Sequence, residues 1–139
     1  MANAPAHRLM IVDDDPDLRG TFALLFGKEY SVLAAPGGLE ALALLKTEKP
    51  ELLVLDLMMP GMNGLEVLKA VKVVRPEMIV IMLTSERDLE AARTALSLGA
   101  SQFVTKPFDI DYLRDEIRRL LDAAPGGSDP SGRPWKIAP

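Results

Sequence analysis

The sequence predicts an α/β fold, a doubly wound parallel sheet of five strands with helices on both faces. Short apolar runs alternate with segments of helical length, and no internal repeat is visible. Strands this apolar are buried on both faces, and the amphipathic segments between them supply the crossovers of a parallel sheet. The five runs lie at 9–12, 30–34, 52–57, 79–83 and 103–105.

Local signals mark the ends of the predicted helices. Asp15 places a capping side chain before Pro16, which suits the first helical position. Asn63 and Glu66 have the spacing of a capping box, and Gly99 predicts the end of a helix. Apolar residues at helical spacing indicate the core-facing sides of the first and last helices: Leu18, Phe22, Leu25, Leu113, Ile117, Leu120 and Leu121.

The composition excludes several classes of function. Because the chain has no cysteine, it forms no disulfide, thiol nucleophile or thiolate zinc site. Its only histidine, His7, lies in the polar start and is interpreted as solvated, so histidine-dependent catalysis is not expected. A net charge of -4, with no basic cluster before the last helix, argues against direct nucleic-acid binding.

The 139 residues suit one globular domain. The segment 1–7 is expected to be disordered, 8–123 to fold, and 124–139 to be a tail or linker rich in glycine, proline and serine, with Trp135 as a tail aromatic. No apolar run approaches the roughly 20 residues of a membrane-spanning helix, and no signal-type apolar core is present. We therefore expect a cytosolic protein without a membrane partner.

Side chains with chemical roles follow the ends of four apolar runs. Asp13 and Asp14 follow the first run, and Asp56 lies in the third. Thr84 and Lys106 follow the fourth and fifth. Taken singly, each has an ordinary role as a cap, turn former or surface charge. Because ligands of doubly wound sheets bind outside the carboxyl ends of the strands, we expect these side chains to meet in one crevice.

The chemistry of this set favours metal-assisted phosphoryl transfer. Gathered carboxylates repel one another unless a cation lies between them, and oxygen ligands favour Mg²⁺. The acids and the backbone carbonyl of Met58 suffice as ligands. With Lys106 and the Thr84 hydroxyl neutralising phosphoryl charge, Asp56 is the natural nucleophile. The methionines of the loop after Asp56 are interpreted as loop packing, not as a soft-metal site.

Four segments carry a family resemblance: MIVDDD, LLVLDLMMPGMNG, IVIMLTS and FVTKPF. In this order and spacing they resemble the receiver domain of response regulators in two-component signalling (CheY-like), over roughly residues 8–123. The resemblance implies a flavodoxin-like sheet in strand order 2-1-3-4-5. It also implies a phosphoacceptor, not an enzyme, whose Asp56 is phosphorylated from the phosphohistidine of a sensor histidine kinase or phosphotransfer protein.

The resemblance further implies a set of Mg²⁺ ligands. Asp14, Asp56 and the Met58 carbonyl would hold the ion, with Asp13 acting mainly through water. Lys106 would contact the phosphoryl group. Because receiver domains assist their own dephosphorylation, the side chains that border the path of an attacking water matter as well. By resemblance these are Met58 and Glu86, and the apolar Met58 predicts slow self-dephosphorylation.

A conformational switch is also implied. Thr84 would move toward the phosphoryl group, and Phe103 would turn inward to fill the vacated space, although an ordinary core role for Phe103 stays open. The bond between Lys106 and Pro107 is expected to be cis, which would direct the lysine into the site.

The resemblance leaves the output open. A downstream effector or output domain is expected, but no such domain fits in the final fifteen or so residues, so a stand-alone receiver and a piece of a longer protein both remain possible. A phosphorylation-dependent dimer is possible, but Ser101 and Gln102 replace the acids of one ion-paired form. Arg114, Arg118 and Arg119 offer either an interaction face or a solvated one.

Three other classes of protein share parts of this pattern. A haloacid-dehalogenase-type phosphatase would carry its nucleophile in a D-x-D arrangement on the first strand, where this chain has adjacent acids. A flavodoxin-like cofactor binder needs a phosphate-binding loop where this chain has Asp-Asp-Asp-Pro. A degenerate receiver used only for protein binding would have an incomplete site.

Overall fold

The computed structural model describes residues 7–59, 61, 63–85 and 88–123. The predicted disordered start before His7, the predicted tail with Trp135, and Met62 and Glu86 lie outside the described residues. Five strands are described: β1 Arg8–Val12, β2 Ser31–Ala35, β3 Leu52–Asp56, β4 Ile79–Thr84 and β5 Gln102–Thr105. Five helices alternate with them: α1 Pro16–Phe26, α2 Gly38–Thr47, α3 Gly64–Val74, α4 Leu89–Ser97 and α5 Ile110–Asp122.

All strands are parallel, and their order in the sheet is β2-β1-β3-β4-β5, which confirms the predicted topology. The strand order reverses between β1 and β3, the adjacent pair from which the sheet grows in both directions. Val12 of β1 is paired with Leu55 of β3, and Thr84 of β4 with Thr105 of β5. The residues that follow these pairs therefore lie side by side at the carboxyl ends of the strands.

The two faces of the sheet carry separate cores. Along β1, Leu9 and Ile11 face the core that contains Phe22 of α1 and Ile117 of α5. Alternate residues face the core formed with α2, α3 and α4. Burial on both faces explains why the strands are apolar throughout. Among the described helices, none has the length and apolarity needed to cross a bilayer.

The helix signals read from the sequence are confirmed. Asp15 caps α1 by accepting from the Asp17 N–H, and the reciprocal capping box of Asn63 and Glu66 begins α3. Helix α4 ends before Gly99, whose φ of 108° lies in the left-handed region that glycine enters most easily. The predicted apolar faces of the first and last helices are buried or partly buried in the core: Leu18, Phe22, Leu25, Leu113, Ile117, Leu120 and Leu121.

Ion pairs connect segments at the amino ends of the strands, here called the amino edge. The His7 Nδ1 lies 2.6 Å from the Glu51 carboxylate, and the His7 side chain is 39% exposed. The prediction that His7 is simply solvated is therefore only partly right. Arg8 pairs with Glu48 at 3.4 Å. These contacts join the start of β1 to the segment that precedes β3.

Arg75 adds a second connection at the amino edge. Its guanidinium donates to the carbonyls of Leu45 at 2.9 Å, Glu48 at 3.0 Å and Pro50 at 3.4 Å. Arg75 follows the last residue of α3, whereas its acceptors lie at the end of α2 and just beyond it. One half-buried side chain thus satisfies carbonyls that the end of α2 leaves without helical partners.

Candidate functional site

The predicted acids converge at the carboxyl edge of the sheet, the end opposite the amino edge. Because β1 and β3 are neighbours, Asp13 and Asp56 lie beside each other. Together with Asp14 they offer three carboxylate oxygens within 4.8 Å of one another. Asp13 is 1% exposed and Asp56 is 5% exposed, whereas Asp14 is exposed to solvent. Two nearly buried acids and one exposed acid therefore form a single cluster.

Lys106 reaches this cluster from the end of β5. Its Nζ lies 3.1 Å from Asp13 Oδ2 and 3.3 Å from Asp56 Oδ2. Its backbone N–H donates to the Thr84 carbonyl at 2.7 Å, which continues the β4–β5 pairing to the residue where the chain turns. The Lys106–Pro107 bond is cis, as predicted. The lysine thus bridges the two buried acids.

The charges in this cluster alter the acidity of Asp56. Burial and the nearby Asp13 carboxylate raise the pKa of Asp56 to about 6, against the opposing effects of the Lys106 ammonium and the Met58 N–H. For Lys106, burial alone would lower the pKa, but Asp56 and Asp13 outweigh it and the pKa is raised. One ammonium therefore does not fully offset the cost of ionising Asp56.

Thr84 and Phe103 lie on neighbouring strands near the cluster. Thr84 is 2% exposed, and its hydroxyl donates to the Ser85 carbonyl at 3.3 Å. Phe103 is partly buried and packs against the core beneath α2, α3 and α4. Its N–H bonds to the side chain of Gln102. Thr84 thus ends β4 at the edge that carries the acids, whereas Phe103 lies two residues farther from this edge, opposite Met82, and the movement of both side chains stays a prediction.

Comparison with known proteins identifies the fold and its acid cluster. Residues 9–118 match the response regulator receiver domain. The chain belongs to this family. Sporulation initiation phosphotransferase F of Bacillus subtilis is 38% identical over 115 residues, which cover 82% of this chain and 93% of that protein. The transcriptional regulatory protein GlrR of Escherichia coli is 37% identical over 130 residues, 93% of this chain but 29% of that protein.

Solved structures agree with this assignment. Chemotaxis protein CheY4 of Vibrio cholerae has a TM-score of 0.76 and 30% identity, covering 85% of this chain and 98% of that one. The receiver domain of NtrX from Brucella abortus has a TM-score of 0.75 and 32% identity, covering 80% and 95%. This chain is therefore a receiver domain of two-component signalling, with an acidic cluster consistent with a metal site.

The loop after Asp56 shapes the entrance of the receiver site. The Met58 N–H donates to Asp56 at 3.3 Å, and Met58 is 61% exposed. The packing role predicted for the methionines of this loop agrees with the 8% exposure of Met59, but it is wrong for the exposed Met58. Glu86, the other residue predicted to border the water path, lies outside the described residues. Of the predicted pair, only Met58 has a described position, at the surface beside Asp56.

Helix α3 approaches the site very closely at Gly64. A Cβ atom placed on this glycine would lie 2.6 Å from the Asp56 carbonyl oxygen and 2.6 Å from the Leu57 Cα. The Gly64 N–H donates to the Leu57 carbonyl at 2.9 Å. The space at this contact therefore admits only glycine, and the hydrogen bond closes the loop that follows Asp56.

One residue of the receiver site was missed by the sequence analysis. Arg19, in the first turn of α1, donates from Nη1 to the backbone carbonyl of Asp13 at 2.7 Å. In the sequence, the only indication of this role is that Arg19 lies one helical turn after the cap Asp15, within reach of the acidic loop. Nothing in the residue type alone distinguishes it from a solvated arginine.

Arg114 and Arg119 of α5 form side-chain hydrogen bonds within the chain, which a purely solvated face would lack. Arg114 donates to Glu29 at 2.6 Å and is 23% exposed. Arg119 donates to both oxygens of Glu116, and Glu116 also accepts from Gln102 at 3.0 Å. The hydrogen bond from Arg119 lowers the pKa of Glu116. Residue 102 of β5 is therefore joined to α5 within the chain.

Proposed function

We propose that this receiver domain accepts a phosphoryl group on Asp56 from the phosphohistidine of a sensor histidine kinase or phosphotransfer protein in the cytosol. The observation that carries the proposal is the position of Asp56, which is 5% exposed at the end of β3 with one oxygen 3.3 Å from the Lys106 ammonium. A nucleophilic carboxylate and a cation that can hold phosphoryl oxygens are thus already adjacent.

The acid cluster fits a magnesium ion. All donors are hard oxygens, and the repulsion that raises the pKa of Asp56 is relieved by a bound cation. Asp14, Asp56 and the Met58 carbonyl would hold the ion. When bound, Mg²⁺ supplies neutralisation of the charge on the phosphoryl oxygens.

Asp13 is better suited to an indirect role. Its Oδ1 accepts from the Asp15 N–H at 2.9 Å, and its Oδ2 lies 3.1 Å from Lys106, so both oxygens already have protein partners. Among the described residues, none donates a hydrogen bond to the exposed Asp14 carboxylate. This difference supports direct coordination by Asp14 and water-mediated contact by Asp13.

The transfer then proceeds at an oxygen of Asp56. That oxygen attacks the phosphorus, an O–P bond forms, and the P–N bond of the phosphohistidine breaks with its electron pair remaining on the imidazole. Lys106 holds a phosphoryl oxygen as charge develops on it. The Thr84 hydroxyl exchanges its bond to the Ser85 carbonyl for one to the phosphoryl group, and Phe103 turns into the space that is vacated.

The output of this switch would be a changed surface around β5 that is presented to a downstream effector or output domain. If a phosphorylation-dependent dimer forms, Ser101 and Gln102 supply no carboxylates for ion pairs between the two copies. Arg119 is already bound to Glu116 of its own chain. Direct DNA contact by this domain is not part of the proposal. The match covers 93% of Bacillus subtilis phosphotransferase F but only 29% of GlrR. Related sequences therefore occur both as short proteins and as parts of longer ones.

Phosphorylation by acetyl phosphate tests the proposal. With Mg²⁺ present, intact mass spectrometry should show one added phosphoryl group in the wild type and none in Asp56→Ala. Asp115→Ala, which removes an exposed acid of α5, is the control and should be phosphorylated like the wild type. A phosphoryl adduct retained by Asp56→Ala would show that another residue is the nucleophile. Continuous release of phosphate without an adduct would favour a phosphatase instead.

A further inference from the structure

The acid loop, residues 13–15, must hold its carboxylates together against their repulsion. Each polar group of Asp13 has a partner. Its N–H donates to the Ala35 carbonyl at 3.2 Å, and its side chain contacts the Asp15 N–H and Lys106 as described above. The remaining group, the Asp13 carbonyl, accepts from Arg19 at 2.7 Å. Arg19 is thus the side chain that connects α1 to the backbone of the acid loop.

The hydrogen bond from Arg19 restrains the backbone next to Asp14. The Asp13 carbonyl and the Asp14 N–H belong to one planar peptide group, so holding the carbonyl also limits rotation of the bond that leads into Asp14. Asp14 is exposed and lacks the burial that holds Asp13 and Asp56 in place. Its orientation therefore depends on the backbone of the acid loop.

Arg19 is well placed to hold that backbone. Its own N–H donates to the Asp15 carbonyl at 3.1 Å, so its backbone is fixed within the first turn of α1. Its side chain is half-buried, and the bond from a guanidinium to a carbonyl is charge-assisted. A fixed helix thus presents a strong donor to the backbone of the acid loop.

We propose that Arg19 is a positioning residue for magnesium binding: it holds the Asp13–Asp14 peptide so that the Asp14 carboxylate faces Asp56 before the ion arrives. The proposal rests on the proposed function, because it assigns Asp14 to the ion. Arg19 itself contacts neither the ion nor the phosphoryl group. Groups that orient a metal ligand affect metal affinity without binding the metal.

The sign of the effect separates positioning from simple electrostatics. A guanidinium near a cation site repels the ion, so its charge alone makes Mg²⁺ binding weaker. If charge were its main contribution, removal of Arg19 would strengthen binding. If positioning dominates, removal weakens binding in spite of the repulsion that is relieved.

Magnesium titration of the full chain provides the test. The amide chemical shifts of the acid loop would be followed against Mg²⁺ in the wild type, Arg19→Gln, Arg19→Lys and Arg118→Gln. We expect about tenfold weaker binding in Arg19→Gln, the usual lower range for loss of a group that orients a ligand. Arg19→Lys, which retains a donor and the charge, should recover part of the affinity.

Arg118→Gln is the matched control. It removes one arginine charge from α5, on the same side of the sheet, where Arg118 is 55% exposed and pairs with Glu29. Its magnesium affinity should equal that of the wild type. Acetyl phosphate labelling adds a second readout: in Arg19→Gln the Mg²⁺ concentration for half-maximal rate should rise, while the rate at saturating Mg²⁺ stays close to that of the wild type.

Unchanged or tighter magnesium binding in Arg19→Gln overturns the proposal, and so does an equal loss in Arg118→Gln. Spread of the amide signals reports whether each variant is folded. If Arg19→Gln does not fold, Arg19→Lys decides, because intermediate affinity supports positioning and wild-type affinity overturns it. Absence of Mg²⁺ binding in the wild type would instead contradict the proposed function, so the two failures are distinguishable.

Discussion

At the amino edge of the sheet, His7, Arg8 and Arg75 each contact a carboxylate or a backbone carbonyl. At the carboxyl edge, by contrast, two of the three clustered carboxylates share the ammonium of Lys106, and the third, Asp14, is exposed. The first arrangement satisfies its charges within the chain. The second leaves repulsion that raises the pKa of Asp56. The same sheet therefore satisfies its polar groups at one end and leaves carboxylates in mutual repulsion at the other.

The largest expected effect is on stability, at the amino edge. Arg75→Met removes the donor for three backbone carbonyls, so the free energy of unfolding should fall by about 2–3 kcal/mol in urea titrations. The rate of labelling by acetyl phosphate should not change. Arg118→Met, which removes an exposed arginine, should cost less than about 1 kcal/mol. A slower labelling rate in folded Arg75→Met would show that the amino edge also affects the reaction at the carboxyl edge.

At the carboxyl edge, removal of a charge should stabilise the protein. In metal-free buffer at neutral pH, Asp56→Asn should raise the free energy of unfolding by about 1–2 kcal/mol, because ionising this buried acid is costly. Urea titrations with a chelator present would measure the difference. A destabilised Asp56→Asn at neutral pH would show that the carboxyl edge stores no such repulsion.

The same variant should show a pH dependence of defined sign. Since the folded-state pKa of Asp56 is raised from 3.8 to about 6, the folded protein binds the proton more tightly than the unfolded chain. This group's contribution to stability is therefore full below about pH 4 and is lost as the pH rises through about 6. The advantage of Asp56→Asn should shrink as the pH is lowered across this window.

The smallest expected effect concerns the lifetime of the phosphorylated form. Met58 presents a thioether beside Asp56, which orients an attacking water poorly. Met58→Asn should shorten the lifetime by about threefold, well below the roughly hundredfold or more of a positioned general acid or base, because an amide can orient the water but does not take its proton. Mass spectrometry after removal of the phosphodonor, at one Mg²⁺ concentration, would follow both proteins. Decay at the wild-type rate or slower would mean that water access at Met58 does not set the lifetime.

Most of the fold was predictable because burial on both faces makes each strand apolar throughout. No strand end differs from its predicted run by more than one residue. The remaining differences come from neighbouring strands: Arg8 joins β1 because it is paired with Ser31, and Tyr30 precedes β2. Such pairing depends on the register of the sheet, which residue types do not specify.

The acids and Lys106 were predictable for another reason, since polar residues after apolar runs must meet at one edge of a parallel sheet. Arg19 and Arg75 were not predictable in this way. Their partners are backbone carbonyls, which leave no complementary residue in the sequence, and the reach of a long side chain depends on how helices pack. The sequence therefore revealed the reacting groups better than the residues that hold them.

The close contact at Gly64 limits which residue can close the loop after Asp56. Any side chain at this position would collide with the backbone of Asp56 and Leu57, so drift to alanine should displace the start of α3 or the phosphoacceptor itself. The backbone at Gly64 is thus held directly against the backbone of Asp56 and Leu57. The exposed Met58 in the same loop has no such steric limit, so its side chain can be changed without moving the backbone around Asp56.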